Sequence, residues 1–265
     1  MSYRKYWLPE ILSLLALGLI STVPFWLSPL DLTVASWFYL DTNSSNSWPL
    51  KDLGMFRFLF WLAPWLTVAL GLTGLLVLTI GILQNRRFRF RIYGLYIFLA
   101  VVVGPGLVVN ALFKDHWDRP RPREVQVFGG EELYVPPLVP GQVGNSFPCG
   151  HCSVAFAFAA FYFIFRRRYP GRAITALLIS IILGSLMGAA RIAAGGHFLS
   201  DVLWSAVLTW STLFFLYWLI MQIPLREDRV KHDLSRPQPK FVTTAKVLLI
   251  ILVAVTGVVF TWRMY

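Results

Sequence analysis

The chain has 265 residues, 57% of them apolar, 16% aromatic and only 14% charged, with a mean hydropathy of +0.62. Soluble domains carry about 25% charged and about 45–50% apolar residues, which argues against an ordinary water-soluble enzyme. The formal charge is +11 and the pI about 10.0. That balance points to nucleic acid on a soluble chain and to basic membrane loops on an apolar one.

A helix crossing a bilayer core about 30 Å thick needs roughly 20 apolar residues. In chain order the candidates run from Trp7 to Leu27, Phe56 to Leu83, Ile92 to Phe113 and Cys149 to Phe165. Ala173 to Ala190, Phe198 to Ile223 and Phe241 to Trp262 complete the set. The first follows Arg4 and Lys5, as a secretory signal does. It is too long for a signal h-region, and no small-x-small cleavage site follows, so it reads as a retained anchor. The expectation is an all-α, polytopic transmembrane bundle of six or seven spans, forming a single domain over residues 1–265.

If the spans alternate, one side collects Arg4 and Lys5, Arg86, Arg87, Arg89 and Arg91, and Arg166, Arg167, Arg168 and Arg172. It also collects Arg226, Arg229, Lys231, Arg236, Lys240 and Lys246, which makes sixteen of the 24 basic residues. The positive-inside rule makes that side cytoplasmic. The amino terminus is then inside and, with seven spans, the carboxyl terminus outside. The charge needs no nucleic-acid partner. The first outer loop is aromatic, and Ser28-Pro29-Leu30-Asp31 reads as a helix start with a Ser cap and Pro at the first helical position. That helix is either a plain interfacial element or a wall for lipid entry.

The chemistry-bearing residues gather at the opposite, outer ends of the spans, where charge is costly and usually functional. They are Lys114 and Arg121 after span three, Cys149-Gly150-His151 opening span four, Arg191 closing span five, and His197 and Asp201 opening span six. His197 and Asp201 are four apart, so on a helix they share a face. A carboxylate on one imidazole nitrogen fixes the tautomer and leaves the other as a nucleophile. Gly150 and His151 sit at a helix start, where backbone N–H groups favour an anion. Lys114, Arg121 and Arg191 suit phosphate oxygens, and His151 can supply a proton to a leaving alkoxide.

Lys114-x6-Arg121-Pro122, then Pro148-x-Gly150-His151, then Arg191-x5-His197-x3-Asp201 resembles the three-part signature of the type-2 phosphatidic acid phosphatases. The resemblance covers Lys114 to Asp201 and implies a six-helix core, with the helix near 241–262 as an extra. It implies that His197 attacks phosphorus, that Asp201 orients it, and that His151 protonates the leaving group and then activates water. Lys114, Arg121, Arg191 and Gly150 would hold the phosphate. No cofactor or metal is implied. Two positions depart from the family pattern: Cys149 replaces a Ser as a weaker phosphate donor, and Ala190 replaces a Ser before Arg191.

Cys149-Gly150-His151-Cys152 also spells a disulfide-isomerase dithiol, but no βαβ pattern surrounds it. A structural disulfide in an oxidising compartment stays open. Arg119 and Arg123 are expected to pair with Asp118, Glu124 or lipid phosphate, and Gly184-x3-Gly188 to pack helices. Arg121-Pro122-Arg123-Glu124 with Phe128-Gly129-Gly130, and Phe38-Tyr39-Leu40-Asp41 with Trp48-Pro49, are similar to bacterial family members that dephosphorylate lipid A. The expected protein is a multi-pass inner-membrane phosphatase of bacteria with its site facing the periplasm, acting on lipid A or another phospholipid. Undecaprenyl diphosphate and phosphatidylglycerol phosphate are the competing substrates. A non-catalytic lipid-phosphate transporter is the competing class.

Overall fold

A computed structural model describes residues 4–41, 47–83 and 88–232. The expected seventh helix, Arg86, Arg87 and the basic residues beyond 232 lie outside the described residues. The described chain is helical with no strand, as the composition predicts. Five helical stretches are long and apolar enough to cross a membrane: Trp7–Leu27, Gly54–Leu83, Phe88–Lys114, Pro170–Ala193 and Leu199–Arg229. The shorter apolar helix Gly150–Phe165 occupies the place of the fourth expected span.

The amino-terminal span is α1 (Arg4–Ile20) followed by the single turn α2 (Val23–Leu27), and the loop after it holds α3 (Leu30–Ser36). The spans α4 (Gly54–Leu83) and α5 (Phe88–Val101) follow. The wider π-helical stretch Val102–Lys114 continues α5. Pro105 lies in that stretch, where a proline lacks the N–H that a tight helical ladder needs. Asn110 Nδ2 donates to the Pro105 carbonyl at 2.7 Å, fixing the wider turn. The fourth span divides into α6 (Gly150–Phe156) and α7 (Ala160–Phe165); α8 (Pro170–Ala193), α9 (Leu199–Phe215) and α10 (Ile223–His232) complete the described chain.

Large apolar side chains such as Leu15, Leu19, Trp61, Trp65, Leu76, Leu178 and Ile182 are exposed along α1, α4 and α8. So large an apolar perimeter is untenable in water and normal against hydrocarbon. Helices in lipid gain little from apolar burial and rely on close backbone approach. A Cβ at Gly74 would lie 2.5 Å from the Phe98 nitrogen, and one at Gly94 only 2.3 Å from the Leu78 nitrogen. The expected packing pair works the same way, with Gly184 against the Phe156 ring and Gly188 against Val202.

Gly94→Ala is therefore expected to push α4 and α5 apart, at an overpacking cost of about 1–3 kcal/mol. A lower Tm in detergent checks this. Gly71→Ala, where a Cβ meets nothing within 4 Å, should leave Tm unchanged or raise it.

One sequence expectation needs correction here. Pro29, not Ser28, caps α3, and no side chain caps it; Ser28 Oγ donates back to the Pro24 carbonyl at 2.7 Å. Nor is α3 a plain interfacial helix, because Asp31 in its first turn is fully buried.

Candidate active site

One set of span ends brings together the residues that the sequence nominates. Lys114 ends the π-helical stretch and is 8% exposed. His151 lies in the first turn of α6, Arg191 in the last turn of α8, and Asp201 in the first turn of α9. Arg191, Lys114, His197 and Arg121 are all close enough to His151 to interact with it electrostatically.

His197 sits in the turn between α8 and α9. Gly195 takes a left-handed φ of +62° there, which favours glycine. A Cβ on Gly196 would come within 2.6 Å of Arg191 Nη2. The turn is thus closed tightly enough to seat the guanidinium. Gly150 has a similar constraint, since a Cβ there would lie 2.5 Å from Asn110 Oδ1.

The expected hydrogen bond between His197 and Asp201 is absent. Asp201 Oδ2 stands 3.7 Å from His197 Nδ1, too far for such a bond. The backbone carbonyl of Ser146 lies 2.6 Å from that nitrogen instead. A carbonyl can only accept, so Nδ1 carries the proton and Nε2 keeps its lone pair. Asp201 holds the acceptor in place: the Ser146 hydroxyl donates to its Oδ2 at 2.6 Å. The Phe198 N–H donates to the same oxygen at 2.7 Å, starting α9 with a carboxylate at its positive end. The i,i+4 spacing put the two residues on one side of the turn, but the helix begins only at Leu199. His197 therefore lies before the helix and points along another direction.

Burial drives the His197 imidazole down from 6.5 to about 4; contact with Asp201 opposes the shift, and Arg191 and Lys114 add to it. The neutral ring, the form able to act as a nucleophile, is present above that pKa and lost below it. The acid limb of kcat/KM is expected near pH 4 rather than 6.5, read from a pH–rate profile. Between those values the unfolded chain binds a proton that the fold excludes, so stability falls as pH drops through that window.

Cys149 occupies a different place from the one its family position implies. Its Sγ is bonded to that of Cys152, with the Cα atoms 5.4 Å apart, so it has no thiol hydrogen to donate. It accepts the Cys152 N–H at 3.3 Å and caps α6. Both sulfur residues are fully buried, which keeps a protein thiol substrate away from them.

Several residues were not legible as part of the site. Phe60 on α4 stacks on His151, with ring centroids 4.5 Å apart, and lies 5.1 Å beneath the Arg191 guanidinium. Ser146 supplies the His197 acceptor; its only sequence signal is its place just before Pro148. Arg119 is fully buried and bridges Asp201 and Asp31, where pairing with Asp118, Glu124 or lipid phosphate was expected. The two loop stretches set apart for their similarity to lipid A phosphatases meet in space. Tyr39, Trp48 and Phe128 form a cluster with centroids 5.1–5.5 Å apart, and Phe198, next to His197, belongs to the same core. A cavity of about 590 Å³ lined by Tyr162, Arg166, Tyr217 and Trp218 lies away from these residues. Its arginines are already paired, Arg166 with Glu10 and Arg167 with Glu227 and Asp228.

Residues 89–224, which include every candidate site residue, match the PAP2 superfamily. The chain belongs to the PAP2 superfamily. It is 32% identical over 196 residues to the lipid A 4′-phosphatase of Francisella tularensis subsp. novicida. That match covers 72% of this chain and 86% of the relative. The lipid A 4′-phosphatase of Rhizobium etli is 35% identical over 39% of this chain and 40% of its own length. That of Rhizobium leguminosarum is 31% identical over 50% of this chain and 55% of its own. No solved structure matches significantly.

Proposed function

We propose that this PAP2 phosphatase removes a phosphate from lipid A, at the outer leaflet of a bacterial inner membrane, through a phosphohistidine intermediate. Its relatives' names give the 4′ position as the first to test. The observation that carries the mechanism is the bond between His197 Nδ1 and the Ser146 carbonyl, which leaves Nε2 free.

Nε2 attacks phosphorus, a P–N bond forms, and the bond to the sugar oxygen breaks. His151, as imidazolium, gives its proton to the departing alkoxide. In the second half His151 takes a proton from water, whose oxygen attacks phosphorus. The P–N bond breaks, and inorganic phosphate leaves with His197 neutral again. Lys114, Arg121 and Arg191 hold the phosphoryl oxygens, with backbone N–H groups at Gly150 and His151 beside them. The cations are arranged where charge develops, and the acyl chains stay in the bilayer below.

The test is phosphate release by the purified protein from lipid A, undecaprenyl diphosphate and phosphatidylglycerol phosphate, with mass spectrometry of each lipid. Lipid A is expected to lose one phosphate, at a rate unchanged by a chelator. Faster turnover of either other lipid would overturn the substrate assignment. A strict metal requirement would overturn the mechanism. Binding of all three without phosphate release would favour the transporter class.

A further inference from the structure

The Arg119 guanidinium, fully buried, has a partner on each of its three nitrogens. Nη2 donates to Asp31 Oδ2 at 2.8 Å, and Nε to the Val135 carbonyl at 2.8 Å. Nη1 donates to Ser200 Oγ at 2.8 Å and also to Asp201 Oδ1. The Phe198 ring packs 4.8 Å from its centre. Asp31 is equally saturated: its Oδ1 accepts the Ser200 N–H at 2.9 Å, and its Oδ2 accepts the Tyr134 hydroxyl at 3.1 Å and the Ser200 hydroxyl. The Arg119 backbone carbonyl accepts the Ser146 N–H at 2.9 Å. Arg119 therefore grips the carboxylate that holds the Ser146 hydroxyl and, separately, the Ser146 backbone itself.

The geometry points to Arg119 and Asp31 as positioning residues of the phosphatase reaction, a buried ion-pair chain by which helix α3 fixes Asp201 and Ser146, and through them His197. Arg119 is engaged within the chain through all three of its nitrogens, and both residues reach His197 through Asp201 and Ser146. The chain ends at the one carbonyl that sets the nucleophile's tautomer. Burying three charges is costly unless each is fully paired, and a packing role alone is met by apolar side chains. Burial alone would lower the Arg119 pKa, but Asp201 and Asp31 together raise it above the ordinary value. The inference rests on His197 being the nucleophile.

The experiment is steady-state phosphate release by the purified full-length protein, with kcat and KM separated and rates taken per monodisperse molecule. Arg119→Lys keeps the charge but replaces a planar fork with a point charge. Asp31→Asn keeps the shape and removes the second carboxylate. Each is expected to lower kcat by about 10- to 100-fold, the scale of a nucleophile misplaced by an ångström, with KM nearly unchanged. Tyr134→Phe and Ser200→Ala keep both ion pairs and are expected to fold, with kcat down about threefold and KM unmoved. They decide the matter if the charge variants fail to fold. Unchanged kcat in Tyr134→Phe, Ser200→Ala and any monodisperse charge variant would overturn the proposal. So would losses that appear in KM alone. His197→Ala runs alongside: if it is active, the nucleophile reading fails. If it is dead while the others are normal, only this inference fails.

Discussion

Replacing His197 with Ala is expected to lower phosphate release by roughly 10⁴-fold or more, since loss of the attacking atom leaves only binding and electrostatic help. The side chain is 1% exposed, so the variant must first be shown to be monodisperse and membrane-inserted. Its substrate affinity should survive, because Lys114, Arg121 and Arg191 keep their positions. A second reading comes from brief mixing with radiolabelled substrate. The wild type should carry labelled phosphate that is stable in alkali and lost in acid, and His197→Ala should carry none. Normal phosphate release by the variant would sink the assignment, and the Ser146 contact would then be only a structural detail.

His151→Ala should show the next largest loss, about 10²- to 10⁴-fold on a sugar phosphate, because general acid catalysis matters most for a poor leaving group. An aryl phosphate leaves without a proton. With such a substrate the first step should recover and the phosphoenzyme should accumulate, since His151 is also assigned to activate water. The contrast separates a catalytic acid from a packing residue, as loss of the Phe60 stack would depress both substrates alike. Equal losses on alkyl and aryl phosphates would remove His151 from its role.

The departures in the second motif acquire a physical account from the fold. Cys149 looked like a weakened phosphate donor, and as half of a disulfide it donates nothing. Its sulfur instead accepts the Cys152 N–H and so takes over a helix-capping duty. In the proposed mechanism the work of holding phosphate falls on three cations and the backbone. Ser146, four residues before Gly150, carries the hydroxyl that matters to Asp201.

The spans, the clustering of charged and polar groups at one set of helix ends, and Lys114, Arg121, His151, Arg191 and His197 as candidate site residues were legible in the chain itself. Transfer of apolar residues into hydrocarbon is summed along a contiguous segment, so a span announces itself locally. Charged residues at span ends are conspicuous for the same reason. The Gly184-x3-Gly188 pair was legible too, since four-residue spacing alone puts both on one helix face.

Only the tertiary structure decided what orients His197. The i,i+4 rule paired His197 with Asp201, and the start of α9 at Leu199 broke that geometry. Asp31 meets Arg119 across 88 positions and Ser200 across 169. Such contacts depend on where α3, the loop after span three and α9 converge, which no local pattern encodes. A buried ion pair is specified by three-dimensional closure, because each charge is tolerable only where the fold delivers its partners. The apolar composition thus placed this chain in a membrane, while the orientation of His197 was set by residues far apart in sequence.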